Sequence, residues 1–270
     1  MKKLLFILTT AVGAFSLSLT AFASEDFTFN NGCIEKYNGT EEYIVIPAEI
    51  NGEKVTSLGV NAFADNDVVK SITIPATVEE IGTENMGDYG LYPFLNTPCL
   101  EEIKVEEGNP VFTDIDGVLI NSNTGELLFY PANKAGSSYT IPEQVKTVRT
   151  LAINKYNNLT DLYVYNSQVE FGTFAIGYGD NLTVHCIKGS VAESYCKNSF
   201  NILYIVEKGD IDGDNFVTAS DASTLLTNLL NNTVNETISN YADIADADGD
   251  GGITSNDCAT ILTIVLNGQA

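Results

Sequence analysis

Residues 210–221 read DIDGDNFVTASD, and residues 246–257 read DADGDGGITSND. Asp210, Asp212, Asp214 and Asp221 stand at positions 1, 3, 5 and 12 of the first stretch. Asp246, Asp248, Asp250 and Asp257 repeat them 36 residues later. The copy extends past the end of each loop: Ala222, Leu225, Leu226, Leu229 and Leu230 recur as Cys258, Ile261, Leu262, Val265 and Leu266. Spacing of i, i+3, i+4, i+7 and i+8 predicts one buried face of an α-helix. Four carboxylates and five apolar positions rarely recur in register by chance. The tail therefore reads as a paired metal module, each loop running into a helix.

Alternating aspartates let a tightly turned loop aim several short carboxylates at one point. Oxygen-only donors in a flexible cage suit Ca²⁺ better than Mg²⁺, which demands a smaller octahedron. Two Ca²⁺ ions are expected, one per loop. Position 7 should add a backbone carbonyl, from Phe216 and from Gly252. Position 6 needs a left-handed turn, which Asn215 and Gly251 tolerate. Thr218 and Thr254 hold position 9, where a side chain or a water completes the shell. Val217 and Ile253 should pack the loops on a shared core. Position 12 is Asp rather than the Glu of an EF-hand, and a strand-like segment, 202–206, precedes the first loop. The unit is thus loop then helix. The bland alternative is a metal-free acidic loop, in which clustered carboxylates would repel one another.

The stretches GDIDGDNFVTASDASTLLTNLL and ADADGDGGITSNDCATILTIVL closely resemble the type I dockerin, over about the last 60 residues. The resemblance implies a small all-α module of paired F-hand loop–helix motifs that docks on a cohesin module of a scaffoldin, within a cellulosome. It also implies that positions 10 and 11 of each loop contact the partner: Ala219 and Ser220, then Ser255 and Asn256. In the family near-symmetric copies permit two docking orientations. The pairs here differ, which favours one.

Upstream, Val69-x-x-Ile72-x-Ile74, Leu100-x-x-Ile103-x-Val105 and Leu159-x-x-Leu162-x-Val164 share one spacing. A second phrase accompanies it in Val55-x-x-Leu58, Val78-x-x-Ile81 and Val145-x-x-Val148. Ile46–Pro47, Ile74–Pro75 and Ile141–Pro142 close strands, because proline cannot donate onward to a ladder. Ala62–Phe63 and Phe174–Ala175 fall on intervening turns. Val55 to Val78 spans 23 residues and Val145 to Val169 spans 24, a period that signals a solenoid of stacked coils. An irregular β-sandwich is the competing reading.

The phrases IPATVEEIG, CLEEIKV, YTIPEQVKTV and NLTDLYV resemble the BspA-like leucine-rich repeat family. That resemblance implies a right-handed solenoid with parallel strands on its concave side. Residues 111–131 look like its β-hairpin insertion, with a turn at Asn123–Thr124–Gly125. Residues 182–206 resemble its closing coil, with a helix over 190–198. Gly82 to Pro98 interrupts the period. The expected organisation is a signal peptide at 1–23, a β-rich BspA-like solenoid at 24–206 and the dockerin at 207–270.

Met1–Lys2–Lys3 followed by an apolar run to Phe22 reads as a secretory leader, with Ala21–Phe22–Ala23 as the cleavage site. A retained membrane anchor is the alternative. The expected destination is extracellular, at the cell surface or in a cellulosome through cohesin, without membrane insertion once the leader is cleaved. Acidic residues number 36 against 13 Lys and Arg, a formal net charge of −23. Such a surface repels phosphate backbones, which argues against nucleic acid. Five cysteines lack C-x-x-C spacing, which argues against a zinc site. Cys186 and Cys196 are close enough in sequence to bridge, though an odd count favours free thiols.

The one histidine, His185, precedes Cys186 on a predicted strand and is expected at a surface or edge. Neighbouring strand residues face opposite ways, so the two cannot form a nucleophile pair. Glu79–Glu80, Glu101–Glu102 and Glu106–Glu107 are expected on solvated turns rather than across a glycosidase cleft. The absence of Trp also counts against sugar chemistry. No catalytic residue is assigned. The expectation is a non-catalytic protein whose solenoid binds a protein or cell-surface partner. A dockerin-borne polysaccharide-degrading enzyme and a carbohydrate-binding adhesin are the alternatives.

Overall fold

The structure is a computed structural model that describes residues 26–82, 93–177 and 181–268. The expected leader, and residues 83–92 of the interruption after Gly82, lie outside the described residues.

The described residues open with a hairpin of β1 (Phe27–Asn30) and β2 (Cys33–Tyr37) around Asn31 and Gly32. Then come β3 (Tyr43–Val45), the short hairpin β4 (Glu49–Ile50) and β5 (Glu53–Lys54), β6 (Ser57–Leu58), β7 (Ser71–Ile74), β8 (Glu80–Ile81) and β9 (Glu102–Val105). A meander of β10 (Phe112–Ile115), β11 (Val118–Asn121) and β12 (Glu126–Phe129) comes after them. The next strands are β13 (Ser138–Thr140), β14 (Thr147–Val148), β15 (Asp161–Val164), β16 (Glu170–Phe171) and β17 (Thr183–Cys186). Helix α1 (Val191–Cys196) and strand β18 (Asn201–Tyr204) close this part. The tail holds α2 (Ala219–Asn231), α3 (Tyr241–Ala245) and α4 (Ser255–Gly268).

Each coil supplies two rungs, one from each repeated phrase. The first phrase builds β3–β7–β9, in which Ile44, Ile72 and Ile103 lie in parallel register and are all buried. It recurs as β13–β15–β17–β18, aligning Tyr139, Leu162, Val184 and Ile202. The second phrase builds β2–β6–β8, aligning Ile34, Leu58 and Ile81, and then β12–β14–β16, aligning Leu127, Val148 and Phe171. Val55, Val78, Val145 and Val169 point fully inward. One coil exposes both edges of its rungs, so only stacking satisfies them. The result is a β-rich leucine-rich-repeat type solenoid followed by a small helical tail.

The hairpin expected as an insertion over 111–131 proves integral, since β12 pairs in parallel with β14 and founds the later ladder. Its strands are buried on both faces. Leu119 and Leu128 join the core of the first coils, whereas Val118, Ile120 and Leu127 join that of the last. Within the first core, Phe27, Tyr37, Phe63, Phe94 and Phe129 succeed one another with ring centroids 5.2–5.9 Å apart. The helix expected over 190–198 is α1, capped by Ser190, whose hydroxyl accepts from the Glu193 amide. All five cysteines are free thiols.

Candidate metal centre

In both loops glycines and Asn215 take positive φ, which lets three aspartates converge. Gly213 has φ 73° and Asn215 73°; Gly249 has 77° and Gly251 89°. Asp210, Asp212 and Asp214 bring one carboxylate oxygen each to within 4.8 Å of one another, and Asp246, Asp248 and Asp250 do the same. Oxygens bound to Ca²⁺ sit about 2.3–2.6 Å from it, so ligands on opposite sides are separated by about 4.8 Å. The clusters have the size and the oxygen-only chemistry that this ion takes.

The loops hold these acids in place with their own backbone. Asp210 Oδ1 accepts from the amides of Gly213 (2.8 Å) and Asp214 (3.2 Å), and its Oδ2 accepts from Asn215 (3.0 Å). Asp246 repeats the pattern with Gly249, Asp250 and Gly251. Burial raises Asp210 above the ordinary carboxylate range despite those amides. At Asp248 the Asp250 amide pulls downward, but desolvation and the charges of Asp250, Asp257 and Asp246 outweigh it. A divalent cation held between these carboxylates would favour their charged forms.

Position 12 is placed differently. Asp221 is fully buried, and its Oδ1 accepts from the amides of Ile211 (2.7 Å) and Asp212 (3.0 Å). Its Oδ2 accepts from the Thr218 amide at 2.8 Å. Asp257 likewise accepts from Asp248 and Thr254. Burial pushes Asp257 up, but these amides prevail and hold it low. Asp221 and Asp257 thus tie the two ends of each loop together, beside the convergent three. The hydroxyls of Thr218 and Thr254 turn to the helix starts and accept from Ser220 and Asn256. Phe216 and Gly252 donate their amides to Asp214 and Asp250. Ala219, Ser220, Ser255 and Asn256 are exposed at the first turns of α2 and α4.

The helix faces depart from expectation. Ala222, Leu225 and Ile261 are buried, with Val217, Leu229, Ile253 and Cys258 packed around them. Leu226 and Leu262, expected inside, are 46% and 43% exposed; Leu230 and Leu266 reach 78% and 70%. The two helices pack chiefly on each other, so the apolar arc is wider than the contact and its rim faces water. The exposed leucines stand at the same positions of both copies.

His185, expected at a surface or edge, is buried at 4% exposure. Ser239 of the tail reaches it. Its Nδ1 lies 2.8 Å from Ser239 Oγ and its Nε2 2.8 Å from Asp161 Oδ1. Cys186 points the other way, into the core. The Asp161–His185–Ser239 line has the residue types of a hydrolytic triad. Its histidine and serine are both buried, and it links the solenoid to the tail.

This fold and site define a duplicated calcium loop–helix module on a coil-stacked solenoid. Residues 208–266 match the family described as Dockerin type I domain, and this region is one. Type I dockerin domains bind calcium, and the two Asp clusters are where this one would hold it. No curated protein matches the chain. Among solved structures, it is similar to the pneumococcal vaccine antigen PcpA at 23% identity, over 64% of this chain and 48% of that one, with a TM-score of 0.44. A leucine-rich repeat protein from Eubacterium ventriosum is 21% identical over 63% of this chain and 61% of that one, with a TM-score of 0.35. A leucine rich cell surface protein from Faecalibacterium prausnitzii is 15% identical over 66% of this chain and 92% of that one, with a TM-score of 0.30. The chain spans about half the length of the first and three fifths of the second. No helix among the described residues is long and apolar enough to cross a membrane.

Proposed function

We propose that the protein is a non-catalytic, secreted component of a cellulosome-type assembly. Its tail, with calcium in both loops, docks on a scaffoldin cohesin through the outer faces of α2 and α4. The solenoid displays its sheet to a protein or cell-surface partner. The observation carrying this reading is the repeated exposed pair, Leu226 with Leu230 and Leu262 with Leu266. A duplicated apolar rim beside exposed polar residues is what a docking face requires. Calorimetry of the full chain against cohesin modules tests it: binding in calcium that vanishes with chelator supports it. No binding to any cohesin, with the ion bound, overturns it.

A second reading is contact with glycans. Tyr163 and Tyr165 stack at 6.2 Å between centroids, and Tyr165 is 50% exposed. Retention on insoluble cell-wall polymer, lost in Tyr165→Ala, would favour this reading over a protein partner.

A further inference from the structure

We propose that residues 237–239, between the two acidic loops, are a calcium-controlled strap that closes the open end of the solenoid. This inference rests on calcium binding by those loops. Strand β18 ends the ladder and would leave one row of peptide groups without partners. At the last residue of the strand the strap supplies them: the Tyr204 amide donates to Thr237 O at 2.6 Å, and the Ser239 amide donates to Tyr204 O at 2.8 Å. Ile238 thereby forms a parallel bridge with Tyr204, a further rung beyond β18. On the same face Ser239 covers His185, which stacks on Tyr163 at 4.1 Å.

The other side of the strap rests on the first acidic loop. Ile238 is buried at 3% exposure against Gly213, where an added Cβ would sit 3.6 Å from its Cγ1. Asn235 donates its side-chain amide to Ile211 O at 3.2 Å. From the solenoid, Lys188 Nζ donates to Gly213 O at 2.8 Å, and the Asn215 side chain donates back to Lys188 O at 3.4 Å. The groups that seat the strap are thus the carbonyls and α-carbons of a loop whose three carboxylates crowd within 4.8 Å. Without a cation those carboxylates repel and the loop opens, which withdraws the support for Ile238 and Asn235. Loading the tail with calcium therefore also closes the solenoid and fixes the direction in which it leaves the docking module. Stripping calcium bares the Tyr204 end of the edge strand and the face around His185.

The chain's one histidine lies at this joint, so it reports on the strap directly. Hydrogen exchange and imidazole resonances of the full chain are compared in calcium and in chelator, with calcium uptake followed by calorimetry. Chelation should speed exchange of the Tyr204 and Ser239 amides by about 100-fold or more and move the imidazole signals, while Leu162 and Val184 inside the ladder stay protected. Ile238→Asp should free the same two amides with calcium still bound. If chelation releases Leu225 of α2 but leaves Tyr204, Ser239 and the imidazole unchanged, the strap does not depend on calcium and the proposal falls. It falls also if the ion binds and nothing changes on its removal, or if Ile238→Asp leaves both amides protected. Absence of calcium uptake has a different signature and would bring down the metal site itself. Should Ile238→Asp fail to fold, the native chain in chelator still decides.

Discussion

Thr218 and Asp221 cap each other across the start of α2. The Asp221 carboxylate accepts the Thr218 amide at 2.8 Å while the Thr218 hydroxyl receives amides of the first turn. Thr254 and Asp257 repeat the contact at 2.7 Å. Because Asp221 also holds the amides of Ile211 and Asp212, removing it strands several buried donors at about 1–3 kcal/mol each. Asp221→Ala is expected to leave the tail unfolded even in excess calcium. Thr218→Ala should cost only about 1 kcal/mol, the usual worth of a cap. Urea denaturation of the two variants separates these outcomes.

Calcium removal should melt the tail and spare most of the solenoid. The tail's core has five buried apolar residues, Ile211, Ala222, Leu225, Ala245 and Ile261, against two long clusters upstream. Cores that small depend on a bound ion. Circular dichroism should show two transitions in calcium, with the helical one lost in chelator and the β one retained. A single unchanged melt would contradict this.

Cohesin affinity should respond unequally to the two copies. Replacing Ala219–Ser220 and Ser255–Asn256 separately, each by a bulky pair, is expected to give one large and one small loss. Among the described residues, the solenoid holds the first loop through Lys188, and no such hydrogen bond reaches the second. Equal losses would mean that both orientations are used.

High pH should loosen the last coils. Burial pushes Cys186 up to about 11, and Cys196, Tyr130 and Tyr156 up to about 12. Each is raised above its unfolded value, so its protonated form stabilises the fold fully below that value. The contribution is lost as pH climbs through the folded value. The window opens near pH 9 for the thiols and near pH 10 for the phenols. Urea midpoints of the solenoid should therefore fall from pH 9 upward, and Cys186 and Cys196 should resist alkylation at pH 8 in the native state.

Repetition made much of this molecule legible, because it converts weak signals into strong ones. The two phrases around Ile72 and Leu58 each form two of the four parallel ladders, and the twin loops form the twin carboxylate clusters. Three hairpin turns are not part of any repeat, although each carries its own signal. Asn31–Gly32, Asn51–Gly52 and Asp116–Gly117 all have positive φ at both positions, which is what such turns demand. A periodic pattern reveals the coils and is silent about these pairs. The exposure of Leu230 and Leu266 is hidden for a different reason. Helical spacing shows that a face is apolar but not whether anything covers it. His185 cannot be placed from its neighbours, since what buries it comes from Ser239, 54 residues away.

Coil stacking leaves no room for a side chain at Gly172 or Gly177, and Gly177 is the tighter of the two. A Cβ on Gly177 would lie 1.8 Å from Asn154 O, a backbone atom of the adjacent coil. Gly177→Ala should force the coils apart and cost about 1–3 kcal/mol. Its effect should appear in the solenoid transition and leave calcium uptake unchanged.

The β11–β12 hairpin, apolar on both sides, has a consequence for how damage spreads. With Leu119 and Leu128 serving one neighbour and Ile120 and Leu127 the other, it stands as a bulkhead between two oily compartments. A lesion near Ile72 should fray the amino-terminal half and stop there. Evolution could thus remodel one end of this molecule without renegotiating the other.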